Sequence, residues 1–136
     1  MVGFPYETEA EFTETLDFAK KARFLDAHVF CYSKREGTEA YGFDCQVDGA
    51  VKEERSKRLS KLIREIRDEI LDSAVLEARP TSAIVETLTN GLYTAHTPSY
   101  IEISIDDNGT CDLRGKNVKV RPVSHKNGIL HCEIVN

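Results

Sequence analysis

Apolar and polar positions follow three different rhythms along this chain, and each rhythm predicts a different kind of element. Phe12, Leu16 and Ala19 fall on one face at helical spacing. Just ahead of them, Thr8-Glu9-Ala10-Glu11 has the form of a capping box, with Thr8 capping the third helical amide and Glu11 reaching back to the amide of Thr8. The helix is expected to end near Arg23. Before it, Val2-Gly3-Phe4-Pro5 reads as the last residues of a strand closing into a turn. After it, Phe24 to Tyr32 carries two apolar runs around Asp26, the second without polar alternation, which predicts a strand buried on both faces of a parallel sheet. Strand end, helix, strand and loop form a β-α-β fragment that cannot close a core alone. Residues 1–50 are therefore expected to be part of a larger domain.

From Val51 to about Ala78 the rhythm becomes purely helical. Leu59, Leu62, Ile63, Ile66, Ile70 and Ala74 make a narrow apolar stripe among dense charges, predicting one long amphipathic helix over 51–79 that Pro80 ends. Its first turns, KEERSKR, are polar all round, as suits a solvated face or a basic strip facing phosphate. Beyond Pro80, short β-prone runs alternate with turn signals: Ser82–Thr87, Leu92–His96, Tyr100–Ile105, Asn117–Val123 and Ile129–Val135, punctuated by Asn90-Gly91, Asp107-Asn108-Gly109 and Asn127-Gly128. Five short antiparallel strands over 80–136 predict a small closed barrel, because so short a sheet would otherwise expose two edges. The fold class expected is α+β: a C-terminal fragment of a partial β/α barrel, a long helix and a five-stranded antiparallel β-barrel.

Composition narrows the function. The net charge of −5 argues against a generally basic nucleic-acid binder, and the acidity is concentrated in the first third. No run of 18 apolar residues exists to span a membrane, and MVGFPYETEAEF lacks the basic start and apolar core of a signal peptide. Cys31, Cys45, Cys111 and Cys132 contain no C-x-x-C pair, so they read as free thiols of a cytoplasmic protein rather than zinc or cluster ligands.

Two stretches carry more than periodicity. GFPYETEAEFTETLDFAKKARFLDAHVFCYSKREGTEA, followed by KEERSKRL, resembles the C-terminal part of the radical S-adenosylmethionine methylthiotransferases, which show a G-F-P-G-E-T segment, an H-V-F-x-Y-S strand end and R-x-G-T-x-A. YSKREGT and VDGAVKEERSKRL are most similar to the branch acting on threonylcarbamoyladenosine in tRNA. The resemblance covers residues 2–63 well and continues more loosely through 80–136, which look like the RNA-binding TRAM domain. It implies that Gly3, Phe4, Pro5, Val29 and Phe30 help wall an S-adenosylmethionine site, and that Lys34 and Arg35 meet the tRNA backbone at the barrel mouth. Tyr6 stands where the family carries its second glycine, and Cys31 where it carries Pro or Lys. The family's C-x-x-x-C-x-x-C motif is not in this sequence. The resemblance thus implies S-adenosylmethionine and two 4Fe–4S clusters for the full-length enzyme, with neither expected on this chain alone and no catalytic residue within it.

On the barrel, Arg114, Lys116, Lys119 and Arg121 could bind RNA phosphates, with Lys126 and His131 nearby; the alternative is a solvated strand face balanced by Glu102 and Glu133. Tyr93 and Tyr100 could stack bases or fill core. His28 reads as a core histidine, His96 and His125 as strand-end residues, Cys31 as apolar filling, and Glu7, Glu9, Glu11 and Glu14 as partners of a helix dipole. The function expected is the C-terminal portion of a tRNA methylthiotransferase, binding the anticodon stem-loop, with possible dimerisation through exposed strands near Val29 and Phe30. A stand-alone RNA-binding barrel and a helix-docking interaction protein are the rival readings.

Overall fold

The structure, a computed structural model, describes residues 1–135. It is α+β: helix α1 (Glu9–Ala22), a 3-10 turn (Glu39–Gly42), helix α2 (Gly49–Glu77), then strands β1 (Thr81–Thr89), β2 (Leu92–His96), β3 (Glu102–Asp106), β4 (Asn117–Lys126) and β5 (Ile129–Ile134). The chain divides into two compact units, Met1–Arg67 and the remainder from Asp68. α2 supplies residues to each.

In the first unit the capping box forms as its residues dictate. Glu11 N–H donates to Thr8 Oγ1 at 3.2 Å, and Thr8 N–H donates to Glu11 Oε2 at 2.7 Å. At the other end Arg23 turns left-handed and returns its N–H to the carbonyl of Ala19. Asp48 starts α2, its carboxylate accepting from Ala50 N–H at 2.8 Å. Val2, Phe12, Ala19, Leu59 and Ile63 form the unit's core, so the first half of the helical stripe is covered within this chain.

The strand predicted over Phe24–Tyr32 does not form. The segment makes one isolated parallel bridge, Val2 with Cys31, through Val2 N–H to Phe30 C=O and Tyr32 N–H to Val2 C=O, each 2.8 Å. A strand needs a ladder, and among the described residues the backbone that pairs with this one is a single residue long. Its faces are correspondingly open: Phe24 and His28 are exposed and Phe30 is 65% exposed. His28 is therefore a surface residue stacked at 6.3 Å on Phe30, not a core histidine. No partial β/α barrel is visible among the described residues. Tyr6 adopts φ 68, in the left-handed region where a glycine is favoured, which gives the family's preference at this position a backbone reason.

In the second unit, β1 to β5 close into a barrel in the order β1-β2-β3-β5-β4. Both Asn-Gly pairs make two-residue hairpins with positive φ at each central residue: Asn90 and Gly91 at 52° and 79°, Asn127 and Gly128 at 54° and 78°. These are the type I′ turns whose twist matches that of paired strands. One pairing departs from the all-antiparallel expectation. β3 runs parallel to β5, through Ile103 opposite Leu130 and Ser104 opposite His131. Hairpins join β1 to β2, β2 to β3 and β4 to β5, but closure brings together strands that no hairpin joins, and its direction follows from the path of the long β3–β4 loop. At this seam Ser104 Oγ lies 3.1 Å from His131 Nδ1, and His131 Nε2 lies 3.4 Å from Asp106 Oδ2, a side-chain chain across the shortest pairing. β4 tolerates Pro122 because its register with β5 shifts between Pro122 and Ser124, at an irregularity that spares the ladder.

Alternation decides the interior: Ala83, Val85, Tyr93, Ala95, Ile103, Ile105, Val120, Leu130 and Cys132 point inward, with Leu71 of α2 among them and Ala74 and Val75 packed alongside. Leu71 extends the predicted stripe. With Leu59 and Ile63 buried in one unit and Leu71 in the other, the stripe offers no apolar face to a docking helix. Past α2, Ala78 takes φ 45 while its N–H bonds to the carbonyl of Ala74 at 3.0 Å. A β-carbon is strained there, so Ala78→Gly is expected to stabilise the protein by about 1 kcal/mol. A thermal melt that stays level or falls would contradict this.

Candidate functional site

Two surfaces gather the residues singled out above, one in each unit. In the first, an open depression of about 480 Å³ is lined by Phe4, Phe30, Tyr32, Arg35 and neighbours. Phe4 meets Tyr32 edge-on at 5.2 Å and Phe43 at 6.3 Å. Lys52 Nζ bonds the Tyr32 carbonyl at 3.3 Å and lies over its ring at 5.3 Å. The Tyr32 hydroxyl is buried beside the depression without a hydrogen-bond partner among the described residues. The structure thus places Phe4, Phe30 and Arg35 on one surface. Gly3 and Pro5 are buried instead, and Val29 packs against the core. Gly3 is constrained twice: its φ is +71, and a β-carbon would strike the Lys52 side chain.

The loop that follows is built from a turn at Glu36-Gly37, closed by Thr38 N–H and Oγ1 donating to the Arg35 carbonyl at 3.3 and 2.7 Å. It leaves Lys34 and Arg35 exposed, with Lys34 Nζ over the Tyr41 ring at 5.2 Å. A buried-looking run opens into charge here because the chain leaves its single bridge at Cys31 and emerges into solvent.

The polar start of α2 has a role that sequence reasoning missed. Arg55 is 4% exposed and donates to Glu7 Oε2 and to the Glu7 carbonyl, both at 3.0 Å, and to Glu9 Oε2 at 3.4 Å. Arg58 bonds Glu9 at 2.6 Å, and both guanidinium groups lie over the Phe12 ring at 5.4 and 4.9 Å. These cations are internal clamps, and Glu7 and Glu9 are their partners rather than mere dipole complements. No spacing rule marks an arginine whose partners lie some 46 to 48 residues away.

In the second unit the four predicted cations divide into two pairs. Arg114 is tied to Asp112 by Nε and Nη2, at 3.1 and 2.7 Å, and these bonds hold the Asp112 carboxyl down at about 2. Arg121 donates to Glu133 across the β4–β5 pair at 2.9 Å. Lys116 and Lys119 are exposed and make no ion pair among the described residues. Tyr93 is core: its hydroxyl donates to the Cys111 carbonyl at 3.3 Å and accepts from Leu113 N–H at 3.4 Å, pinning the β3–β4 loop. Tyr100 is 83% exposed. His96 and His125 both have carboxylate neighbours, Glu86 at 3.0 Å and Asp72 at 2.9 Å.

Sequence comparison adds what geometry alone does not carry. The chain is 42% identical over 124 residues to a threonylcarbamoyladenosine tRNA methylthiotransferase of Bacillus subtilis, covering 89% of this chain and 27% of that protein. A tRNA-2-methylthio-N(6)-dimethylallyladenosine synthase of Alkaliphilus oremlandii is 35% identical over 140 residues, 99% of this chain and 28% of that protein. A ribosomal protein uS12 methylthiotransferase of Desulforamulus reducens is 39% identical over 109 residues, covering 78% and 24%. The chain belongs to the methylthiotransferase family. It spans about a quarter of the length of these curated relatives. No family model matches it, so the TRAM-like reading of residues 80–136 rests on resemblance.

Against that family's chemistry, the thiols of this chain do not fit an iron–sulfur cluster. All four are free, Cys132 is buried with its thiol pushed up to about 11 by burial, and no group of three His, Cys, Asp or Glu among the described residues could hold a metal. No cluster step is assigned to these residues. The depression beside Phe4 and Phe30 is different in kind: it is open and lined by the side chains of Phe4, Phe30 and Tyr32. No helix of the described residues is long and apolar enough to cross a membrane.

Proposed function

We propose that this chain serves as the tRNA-holding part of a tRNA methylthiotransferase, with threonylcarbamoyladenosine beside the anticodon as the modified base. The observation that carries the proposal is the 42% identity, over 89% of the chain, to a relative named for that substrate. Lys119 on β4 and Lys116 in the loop just before it support the proposal, since both are exposed and neither forms an ion pair among the described residues. Unpaired ammonium groups release counter-ions when they meet phosphate, whereas Arg114 and Arg121 would first have to leave Asp112 and Glu133.

At the other surface, Phe4 and Phe30 would hold the adenine edge of S-adenosylmethionine, which when bound supplies the methyl group for transfer. Lys34 and Arg35 would meet the tRNA backbone at the rim of that depression. Gly3 keeps the chain close beneath it, because any side chain there would displace Lys52.

The test is binding of the chain to an anticodon stem-loop titrated in salt. Affinity should fall as salt rises, and Lys116→Ala/Lys119→Ala should weaken binding and reduce the salt slope by roughly 2. Absence of binding at low salt, or an unchanged slope in the double variant, would overturn the assignment of RNA contact to this face.

A further inference from the structure

We propose that a cleft on the barrel beside Tyr100 is a pocket for one unstacked nucleobase of single-stranded RNA, an inference that rests on the RNA-binding reading above. Residues 97–101 form the turn from β2 into β3, organised around buried Thr97. Its N–H bonds the Ile101 carbonyl at 3.1 Å, its carbonyl accepts from Tyr100 N–H at 2.9 Å, and its hydroxyl accepts from Ile101 N–H at 3.1 Å. These three bonds hold Tyr100 at φ 63, a left-handed conformation that suits glycine or asparagine and strains a bulky residue. Packing does not account for an aromatic ring there, since 83% of Tyr100 is exposed. A solvent-facing ring carried on a strained, hydrogen-bonded backbone turn is positioned for something outside the fold.

The cleft beside it has a volume of about 380 Å³ and is lined by Ile84, Glu86, His96, Pro98, Tyr100 and Asn117, among others. Ile84 forms an apolar surface that is 58% exposed. The rings of His96 and Tyr100 stand 5.9 Å apart, inclined by 48°, and Glu86 fixes the imidazole through Nδ1 at 3.0 Å. Asn117, opposite Ile84 in the β1–β4 register, brings an amide able both to donate and to accept. Lys116 precedes it, and Lys119 follows two places on, opposite Ser82 of the cleft lining. An aromatic wall, an apolar surface, a polar edge and adjacent unpaired cations match a base together with its own phosphate. A purely apolar ligand would leave the lysines and Asn117 unused.

The experiment measures binding of the full chain to a short single-stranded oligoribonucleotide and to an abasic oligonucleotide of equal length. Tyr100→Leu keeps an apolar side chain and the backbone demand while removing the aromatic face, and Tyr100→Phe keeps the face. The expected result is about a tenfold loss of oligoribonucleotide affinity in Tyr100→Leu, near-full retention in Tyr100→Phe, and no effect of either on the salt slope or the abasic probe. Unaltered affinity in Tyr100→Leu, alongside weakened binding in Lys119→Ala, would overturn the base pocket and leave the RNA reading standing. No binding of either probe by the unmodified chain would overturn both.

Discussion

Replacing Arg55 with alanine is expected to destabilise the first unit by about 3–5 kcal/mol, the usual cost of breaking a buried ion pair from one side. The guanidinium is almost fully buried and is held by Glu7 through both side chain and backbone, with Glu9 a third partner. Glu7 is itself mostly buried and also accepts the Gly3 N–H, so the loss of Arg55 strands a carboxylate that organises the first turn. Phe12 would lose one of the two flat cations over its ring, keeping Arg58. Arg55→Lys should recover only part of the loss, because an ammonium cannot reproduce the fork that reaches Glu7 and Glu9 together. Urea unfolding of the single variants and of Arg55→Ala/Glu7→Gln measures the coupling. A change below about 1 kcal/mol in Arg55→Ala would mean the clamp is dispensable.

The same clamp sets an acid limit. The Glu9 carboxyl is held below its ordinary 4.5, first by the hydrogen bond from Arg58, with desolvation the next effect and opposing it, and the charges of Arg58 and Arg55 adding to the lowering. A lowered folded-state pKa means that the unfolded chain binds the proton more readily. The contribution is therefore complete above about pH 4.5 and is lost as pH falls through the lower folded value. The midpoint of unfolding should drop in that window, and less steeply in Glu9→Gln.

Leu71→Ala is expected to destabilise the second unit by about 2–5 kcal/mol. Leu71 is fully buried among Val85, Ile103, Leu130 and the other inward side chains of the barrel. Removing it leaves a cavity against strands whose registers are pinned on every side, so little collapse can compensate. Leu76, on the same helix but 87% exposed, supplies the control: Leu76→Ala should change stability by no more than about 0.5 kcal/mol. If the two variants cost the same, the helix end is not part of the barrel core.

The two largest effects differ in how far the sequence foretells them. Leu71 lies one place from the predicted Ile70–Ala74 stripe, and helical periodicity nearly finds it. Arg55 sits in a run that is polar all round, where periodicity contains no signal. The candidate surfaces divide in the same way. Lys119 and Arg121 are legible as outward residues of an alternating strand, but whether a carboxylate stands opposite depends on the β4–β5 register, which pairs Arg121 with Glu133. Tyr93 and Tyr100 are alike in composition and opposite in fate. One is aimed inward by strand alternation, and the other is turned outward by the bonds around Thr97.

What this sequence determines by itself is everything that depends on near neighbours along the chain. The Thr8–Glu11 box, the extent of α2 before Pro80, the two Asn-Gly hairpins and the inward alternation of β1 to β5 all follow from interactions within a few residues. Only the tertiary structure decided that Phe24–Tyr32 lacks a ladder, that β3 meets β5 in parallel, that Arg55 is buried and that a cleft opens beside Tyr100. Each of these depends on which distant segment arrives opposite, and a partner tens of residues away leaves no periodic trace in the segment it meets.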